Sequence, residues 1–240
     1  MDVEDQHWWH GGMRAITAAL IDPLYRDNTI DILDAGCGIG GNVRFLQRYG
    51  RVTGVDLSPV AAQFGKDQIR GAMVRGSVLE LPFAAASFDL VTSFDVLYHH
   101  DVPNESQALS ETYRVLRSEG HLLMRLPAYE FLRSKHDRAV HTRRRYTVQQ
   151  VQALIEGYGF VVEQLSYVNS LLFPIPLAQR ILERLAPSLE QEDSDLALPS
   201  PLLNEVLRWP LATEAAWLGY GGGFPVGLSI MCLGRKCTSG

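Results

Sequence analysis

The residues best suited to chemistry lie in one short run, Leu33-Asp34-Ala35-Gly36-Cys37-Gly38-Ile39-Gly40-Gly41. Glycine lets a backbone turn tightly and come close to a ligand. A helix that starts just after such a turn presents unpaired N–H groups. Gly36, Gly38 and Gly41 fit the spacing of a dinucleotide-binding loop, a weak signal by itself. Asp34 argues against a pyrophosphate there: a carboxylate two residues before the first glycine repels phosphate and attracts a cationic ligand. Hydrogen bonding to the loop amides is its alternative, purely structural reading. Asp56, at the end of the next apolar run, is placed to hold ribose hydroxyls.

These residues need a scaffold, and the first half of the chain reads as alternating strands and helices, the pattern of a parallel sheet. Strands are expected at Ile30–Ala35, Arg51–Val55, Ala72–Arg75, Phe88–Phe94 and His121–Leu126. Helices are expected at Gly41–Arg48, after Ser58-Pro59, and at Asn104–Leu116. Residues 128–146 read as a polar loop or short helix. Thr147 then caps a helix through Glu156, and a sixth strand follows at Phe160–Tyr167. Residues 171–223 hold amphipathic stretches at Pro176–Leu185 and Leu202–Leu218, split by an acidic linker, before a last strand at Pro225–Arg235. Ligands of open α/β sheets sit at the carboxyl ends of the strands. If strands five and six run parallel to strand one, 128–146 and 171–223 both start on that side and can wall a substrate. A dimer surface is the other reading of 171–223.

Asp34-x-Gly36-x-Gly38-x-Gly40 resembles the first motif of the class I S-adenosylmethionine-dependent methyltransferases. Gly54-Val55-Asp56-Leu57-Ser58 resembles their ribose-binding motif, Gly76 to Phe83 their adenine-binding motif, and Phe88 to His100 the strand-four motif beside the reacting methyl. Leu116 to Leu122 is similar to their turn before strand five, so the likeness covers residues 30–168. It implies a doubly wound, seven-stranded, mainly parallel Rossmann-like sheet with a helical lid before an antiparallel last strand. The whole chain would be one methyltransferase domain with an N-terminal helix or lid at 1–28. It further implies S-adenosylmethionine as cofactor, S-adenosylhomocysteine as product, and contacts from Leu57, Ser77, Val78, Phe94 and Asp95. Ser77 departs from the acid usual at its position. His7-Trp8-Trp9 with Arg14, the stretch His136 to Tyr146, and Phe224 to Ser229 resemble one bacterial small-molecule branch. There Trp8 and Trp9 suit a lid over the cofactor or an anchor for the first helix. Arg14 suits the methionine carboxylate, which a guanidinium can bind bidentately.

Methyl transfer is an in-line displacement in which positioning supplies much of the rate. An alcohol or phenol acceptor also needs a base, and imidazole is the usual one near neutrality. His99 and His100, after strand four, and His136 and His141, in the facing insertion, are the candidates. Packing, capping or simple solvation is the competing reading of each. With Asp137 their spacing matches no tight ligand set, so no metal site is expected. The expected activity is methylation of a small molecule, most simply at oxygen, in natural-product or glycan biosynthesis. N- or C-methylation, a non-methylating cyclase and a partner subunit remain open.

Composition narrows the classes. The 240 residues are 46% hydrophobic and 20% charged, as in globular domains. A net charge of −5 disfavours nucleic acid as the main ligand. The basic run Arg143-Arg144-Arg145 reads as solvated surface. Cys37, Cys232 and Cys237 suit neither a disulfide framework nor zinc. The start MDVEDQHWWH is unlike a signal peptide, and no apolar run approaches the ~20 residues of a membrane span. A cytoplasmic monomer or homodimer is expected.

Overall fold

The computed structural model describes residues 7–59, 72–185 and 200–237. The helix expected after Ser58-Pro59 lies outside them, apart from its first residue. In chain order the elements are α1 (Trp8–Tyr25), β1 (Ile30–Ala35), α2 (Gly41–Leu46), β2 (Gly50–Asp56), β3 (Ala72–Arg75) and β4 (Phe88–Phe94). Then come α3 (Glu105–Val115), β5 (Leu116–Pro127), a 3₁₀ turn (Glu130–Leu132), α4 (Lys135–Ala139), α5 (Val148–Glu156) and β6 (Phe160–Val168). The chain finishes with α6 (Pro174–Leu185), α7 (Pro201–Gly219) and β7 (Ser229–Lys236).

The strands form one seven-stranded sheet in the order β3-β2-β1-β4-β5-β7-β6. All pairings are parallel except those of β7, which is antiparallel to both β5 and β6. Parallel strands in such a sheet are covered on both faces, and β1 and β4 are buried at all but their second residue. Side chains of α3 and α5, among them Leu109 and Ile155, pack on one face of the sheet. Met13, Ile16 and Leu20 of α1 and Leu211, Ala215 and Leu218 of α7 pack on the other.

Capping chemistry sets several boundaries. Asn104, read as the first helical residue, is the cap of α3 and accepts from Gln107 N at 3.2 Å. Thr147 and Gln150 form a reciprocal capping box on α5. β5 begins at Leu116, earlier than expected, because Leu116 pairs with Phe88 across a register shift. β7 starts later than expected, after a crossing at Gly227, where a Cβ would meet Val168 O at 2.4 Å.

The basic run is not solvated surface. Arg143 is paired with Glu105, and Arg144 lies 3.4 Å from the same carboxylate. Arg145 donates to both oxygens of Asp137 at 2.8 and 3.1 Å and to Ala128 O at 2.8 Å. Glu105 and Asp137 are themselves buried, and a buried carboxylate needs a cation or several donors. The run therefore pins residues 128–146 to the body of the domain.

The second insertion is tied down too. Glu214 of α7 is fully buried and accepts from Leu171 N at 2.8 Å. Gly12 of α1 lies against Leu211 so closely that a Cβ there would sit 2.1 Å from Leu211 Cδ1 and 2.6 Å from its Cβ. No helix among the described residues is long and apolar enough to cross a membrane. Gly12→Ala tests the helix packing. Overpacking costs about 1–3 kcal/mol, against which the better helix propensity of alanine returns at most about 1 kcal/mol. The expected outcome is a lower urea midpoint at unchanged slope.

Candidate active site

The carboxyl ends of β1, β2 and β4 open onto a cleft with two lobes. One is lined by Asp56, Leu57, Ser77, Val78, His99 and Asp101, among others. The other is lined by Trp9, His10, Arg14, Gly38, Phe94 and Arg125, among others. Gly36 and Asp95 line both and form the junction.

The glycine loop is shaped by two conformations that disfavour side chains. Gly36 has φ +83°, and a Cβ on it would lie 2.2 Å from Val96. Gly38 has φ +53° and faces open space, with nothing within 4 Å of a built Cβ. Asp56 ties this loop to the end of β2: Oδ2 accepts from Gly38 N and Oδ1 from Ser58 N, each at 2.8 Å. Each oxygen keeps a second lone pair for a ribose hydroxyl. Ser77 Oγ accepts from Leu79 N at 3.1 Å, so its oxygen is engaged in the local turn while the residue lines the first lobe. Gly40 lines neither lobe; it is the left-handed cap of α2, with φ +90°.

Asp34 stands behind the loop rather than in the cleft. It faces inward from β1 opposite Thr92, whose hydroxyl donates to Oδ1 at 2.7 Å. Its Oδ2 is buried with no hydrogen-bond partner. Burial, reinforced by the Asp56 charge, raises its pKa to about 6 despite the Thr92 bond. Its pull on a cation must act through the loop, not by direct contact from the cleft wall.

The second lobe is cationic. Arg14 donates to Gly41 O at 3.3 Å, which sets its head beside the loop. Arg125 is buried at the end of β5 and binds Asp95 through Nε at 2.9 Å and through Nη2. Trp9 and Phe94 cover its guanidinium, 4.7 and 5.4 Å from their ring centres. His10 is held near pKa 4 by burial first, then by Arg14, His7 and Arg125, and is neutral at physiological pH.

The histidine expectations divide. His99 lines the first lobe, with Nδ1 3.2 Å from Asp101 N and 3.3 Å from Asp101 Oδ2. His141 packs edge-on against it at 5.6 Å but is exposed, and His100 is exposed as well. Neither lines the cleft. The chain turns outward after Asp95, which has φ +62°, and His100 N bonds His141 O at 3.0 Å on the surface. His136 is in α4, and its side chain lies outside the description. Asp137 beside it has both oxygens taken by Arg145. Among the described residues no group of His, Cys, Asp and Glu is arranged to hold a metal.

Arg125, Asp101 and His10 were missed by the sequence reading. Arg125 had a signal, a lone charge in the run Leu122-Leu123-Met124-Arg125-Leu126 at a strand's carboxyl end. His10 shares a face of α1 with Arg14, one turn away. Residues 171–223 were expected to cover the site. None of their described members lines either lobe; α7 backs α1, and α1 supplies Trp9, His10 and Arg14.

Residues 33–124 match the family profile described as a methyltransferase domain. Through this stretch the chain is similar to S-adenosylmethionine-dependent methyltransferases. A probable S-adenosylmethionine-dependent methyltransferase of Mycolicibacterium smegmatis is 32% identical over 142 residues, 55% of this chain and 52% of that protein. The chain spans about half or less of the curated relatives it matches. The crystal structure of an S-adenosylmethionine-dependent methyltransferase from Mesorhizobium loti shares the fold at a TM-score of 0.61 and 16% identity, covering 97% of this chain and 100% of that one. The [4+2]-cyclase SpnF shares it at 0.61 and 17%, covering 96% and 82%. The methyltransferase fold alone therefore does not decide the reaction.

The buried acid of this methyltransferase domain has a pH signature. Asp34 titrates higher in the folded chain than the ordinary 3.8. Its contribution to stability is therefore greatest below pH about 4 and is lost as pH rises through about 6. Asp34→Asn removes that loss. Relative to the parent, the variant should gain unfolding free energy between pH 4 and 6 and level off above about 7. A flat difference would place the carboxyl in a solvated setting.

Proposed function

We propose that this chain transfers the methyl group of S-adenosylmethionine to a small-molecule acceptor, most simply at oxygen. The observation that carries the reading is the two-lobed cleft, with the Asp56 carboxylate in one lobe and the Arg14 guanidinium in the other. Asp56 suits the ribose hydroxyls, with Leu57, Ser77 and Val78 around the base. Arg14 suits the methionine carboxylate, and Gly36, Gly38, Phe94 and Asp95 suit the span between. The open space at Gly38 and the lone Asp34 oxygen beneath the loop fit a ligand bearing positive charge. Trp9, supported by α1 on α7, closes the second lobe as a lid. The bound cofactor supplies an electrophilic methyl; the chain supplies orientation and exclusion of water.

For an alcohol or phenol acceptor, His99 is the proposed base. Nδ1 accepts from Asp101 N in the structure; for Nε2 to be the basic nitrogen that bond has to give way to a proton on Nδ1 held by Asp101 Oδ2, 3.3 Å away. His10 is too weak a base for this task at its lowered pKa. The described members of 128–146 line neither lobe; they lie beside His99, through its ring contact with His141 and the bond from His100 N to His141 O, and bound the acceptor side from there. Relatives named as a probable tocopherol O-methyltransferase, a phosphoethanolamine N-methyltransferase and a sterol 4-C-methyltransferase span several acceptor chemistries, which supports the small-molecule class and not a particular atom.

Calorimetry with S-adenosylmethionine and S-adenosylhomocysteine tests the cofactor. Both should bind, and Asp56→Ala should weaken both by roughly tenfold or more, since each lost bond to a charged acceptor is worth about 1.5–3 kcal/mol. Unchanged affinity would refute the ribose assignment. An acceptor screen over phenols, sugars, amines and carboxylic acids then tests transfer. With an oxygen acceptor, His99→Ala should lower turnover by ~10²–10⁴-fold, with cofactor affinity nearly unchanged. Retained turnover in that variant with an alcohol or phenol would refute His99 as the base. Binding without any transfer would favour a cyclase or partner-subunit role.

A further inference from the structure

Asp95 differs from the other acids of the cleft in lining both lobes, which otherwise share Gly36. Both bonds from Arg125 end on Oδ2, and Oδ1 accepts no hydrogen bond from the described residues. The Asp95 side chain is 30% exposed, whereas Arg125 is 8% exposed beneath Trp9 and Phe94. The carboxylate is thus fixed by one oxygen and presents the other to the junction. A ligand with its ribose on Asp56 and its carboxylate on Arg14 must pass its sulfur through that junction.

We propose that Asp95, positioned by Arg125, is the counter-charge to the sulfonium and sets the site's preference for S-adenosylmethionine over S-adenosylhomocysteine. The inference rests on the cofactor reading above. The substrate form carries a positive sulfur and the product form a neutral one, while both carry the same ammonium, carboxylate and adenosine. A carboxylate at the junction therefore favours the first selectively. Arg125 moderates that preference, because its guanidinium opposes the sulfonium on the same carboxylate. An unmoderated carboxylate would oppose transfer, since the sulfur's charge is lost as the methyl leaves. Transfer itself erases the preference and so favours release of the product.

The test is the ratio of the two dissociation constants in the wild-type chain, in Asp95→Asn and in Arg125→Met, with thermal melts to check folding. The shared ammonium and carboxylate cancel in that ratio. Asp95→Asn should weaken S-adenosylmethionine about tenfold and S-adenosylhomocysteine less than about threefold. Arg125→Met should shift the ratio the other way, towards S-adenosylmethionine. Equal weakening of both ligands by Asp95→Asn would overturn the proposal and place Asp95 on the ammonium. An unchanged ratio in both variants would reduce the pair to a structural brace. Should Asp95→Asn not fold, an unchanged or reversed ratio in Arg125→Met is decisive against the idea. A wild-type chain that binds neither ligand would overturn the cofactor reading, and this proposal with it.

Discussion

Where β4 stops, the carboxylate of Asp95 meets the guanidinium of Arg125, and the cleft is organised around that meeting. Asp95 leaves the strand at φ +62°, and its N–H donates to Arg125 O at 3.2 Å. Side chain and backbone both hold it to β5. Breaking a buried ion pair by removing one partner costs about 3–5 kcal/mol; the opening of Asp95 to the cleft lowers that figure here. The pair is one-sided by design: Arg125 has lost its water and Asp95 has kept some. Trp9 reaches across from α1 to cover the guanidinium, so the first helix, the central strands and both lobes share one contact.

That contact explains why the N-terminal helix and the late insertion act together. α1 can place Trp9, His10 and Arg14 only if its opposite face is held. The close approach of Gly12 to Leu211 holds it, and the bond from Leu171 N, at the start of the insertion, to buried Glu214 fixes α7 in turn. The insertion, for which a substrate cover and a dimer surface were the two expectations, packs through α7 against α1. Residues 128–146 are held by a different device, the pairs of Arg143 and Arg144 with Glu105 and of Arg145 with Asp137.

Much of this was legible in the residues because it is local. The expected bounds of β1, β3 and β4 coincide with those observed, since a short apolar run between turn signals leaves few alternatives. The capping box at Thr147 was legible for the same reason. Asp56, expected from the motif, and Arg14 and Trp9, expected from the resemblance to one branch, all line the cleft. What escaped depends on which face a side chain takes at a strand end and on partners far away in sequence. Asp34 points inward to Thr92, 58 residues on. His100 points outward because of a bond to His141. The arginine run looked solvated because its carboxylate partners lie up to 39 positions away.

The cleft and its surroundings are therefore built by different physics. The half read here as the cofactor's is made of strand ends, whose spacing the sheet dictates through parallel register, and of a glycine loop that tolerates few side chains. Around it stand segments that attach to the body of the domain by side-chain ion pairs and by helix packing. Such attachments can be preserved at a handful of positions, Glu105, Asp137, Arg143, Arg145 and Glu214, while the residues between them change. A domain made this way can keep one donor and vary its acceptors. That is the physical reason that the motifs of this chain speak clearly about the cofactor and say little about the acceptor.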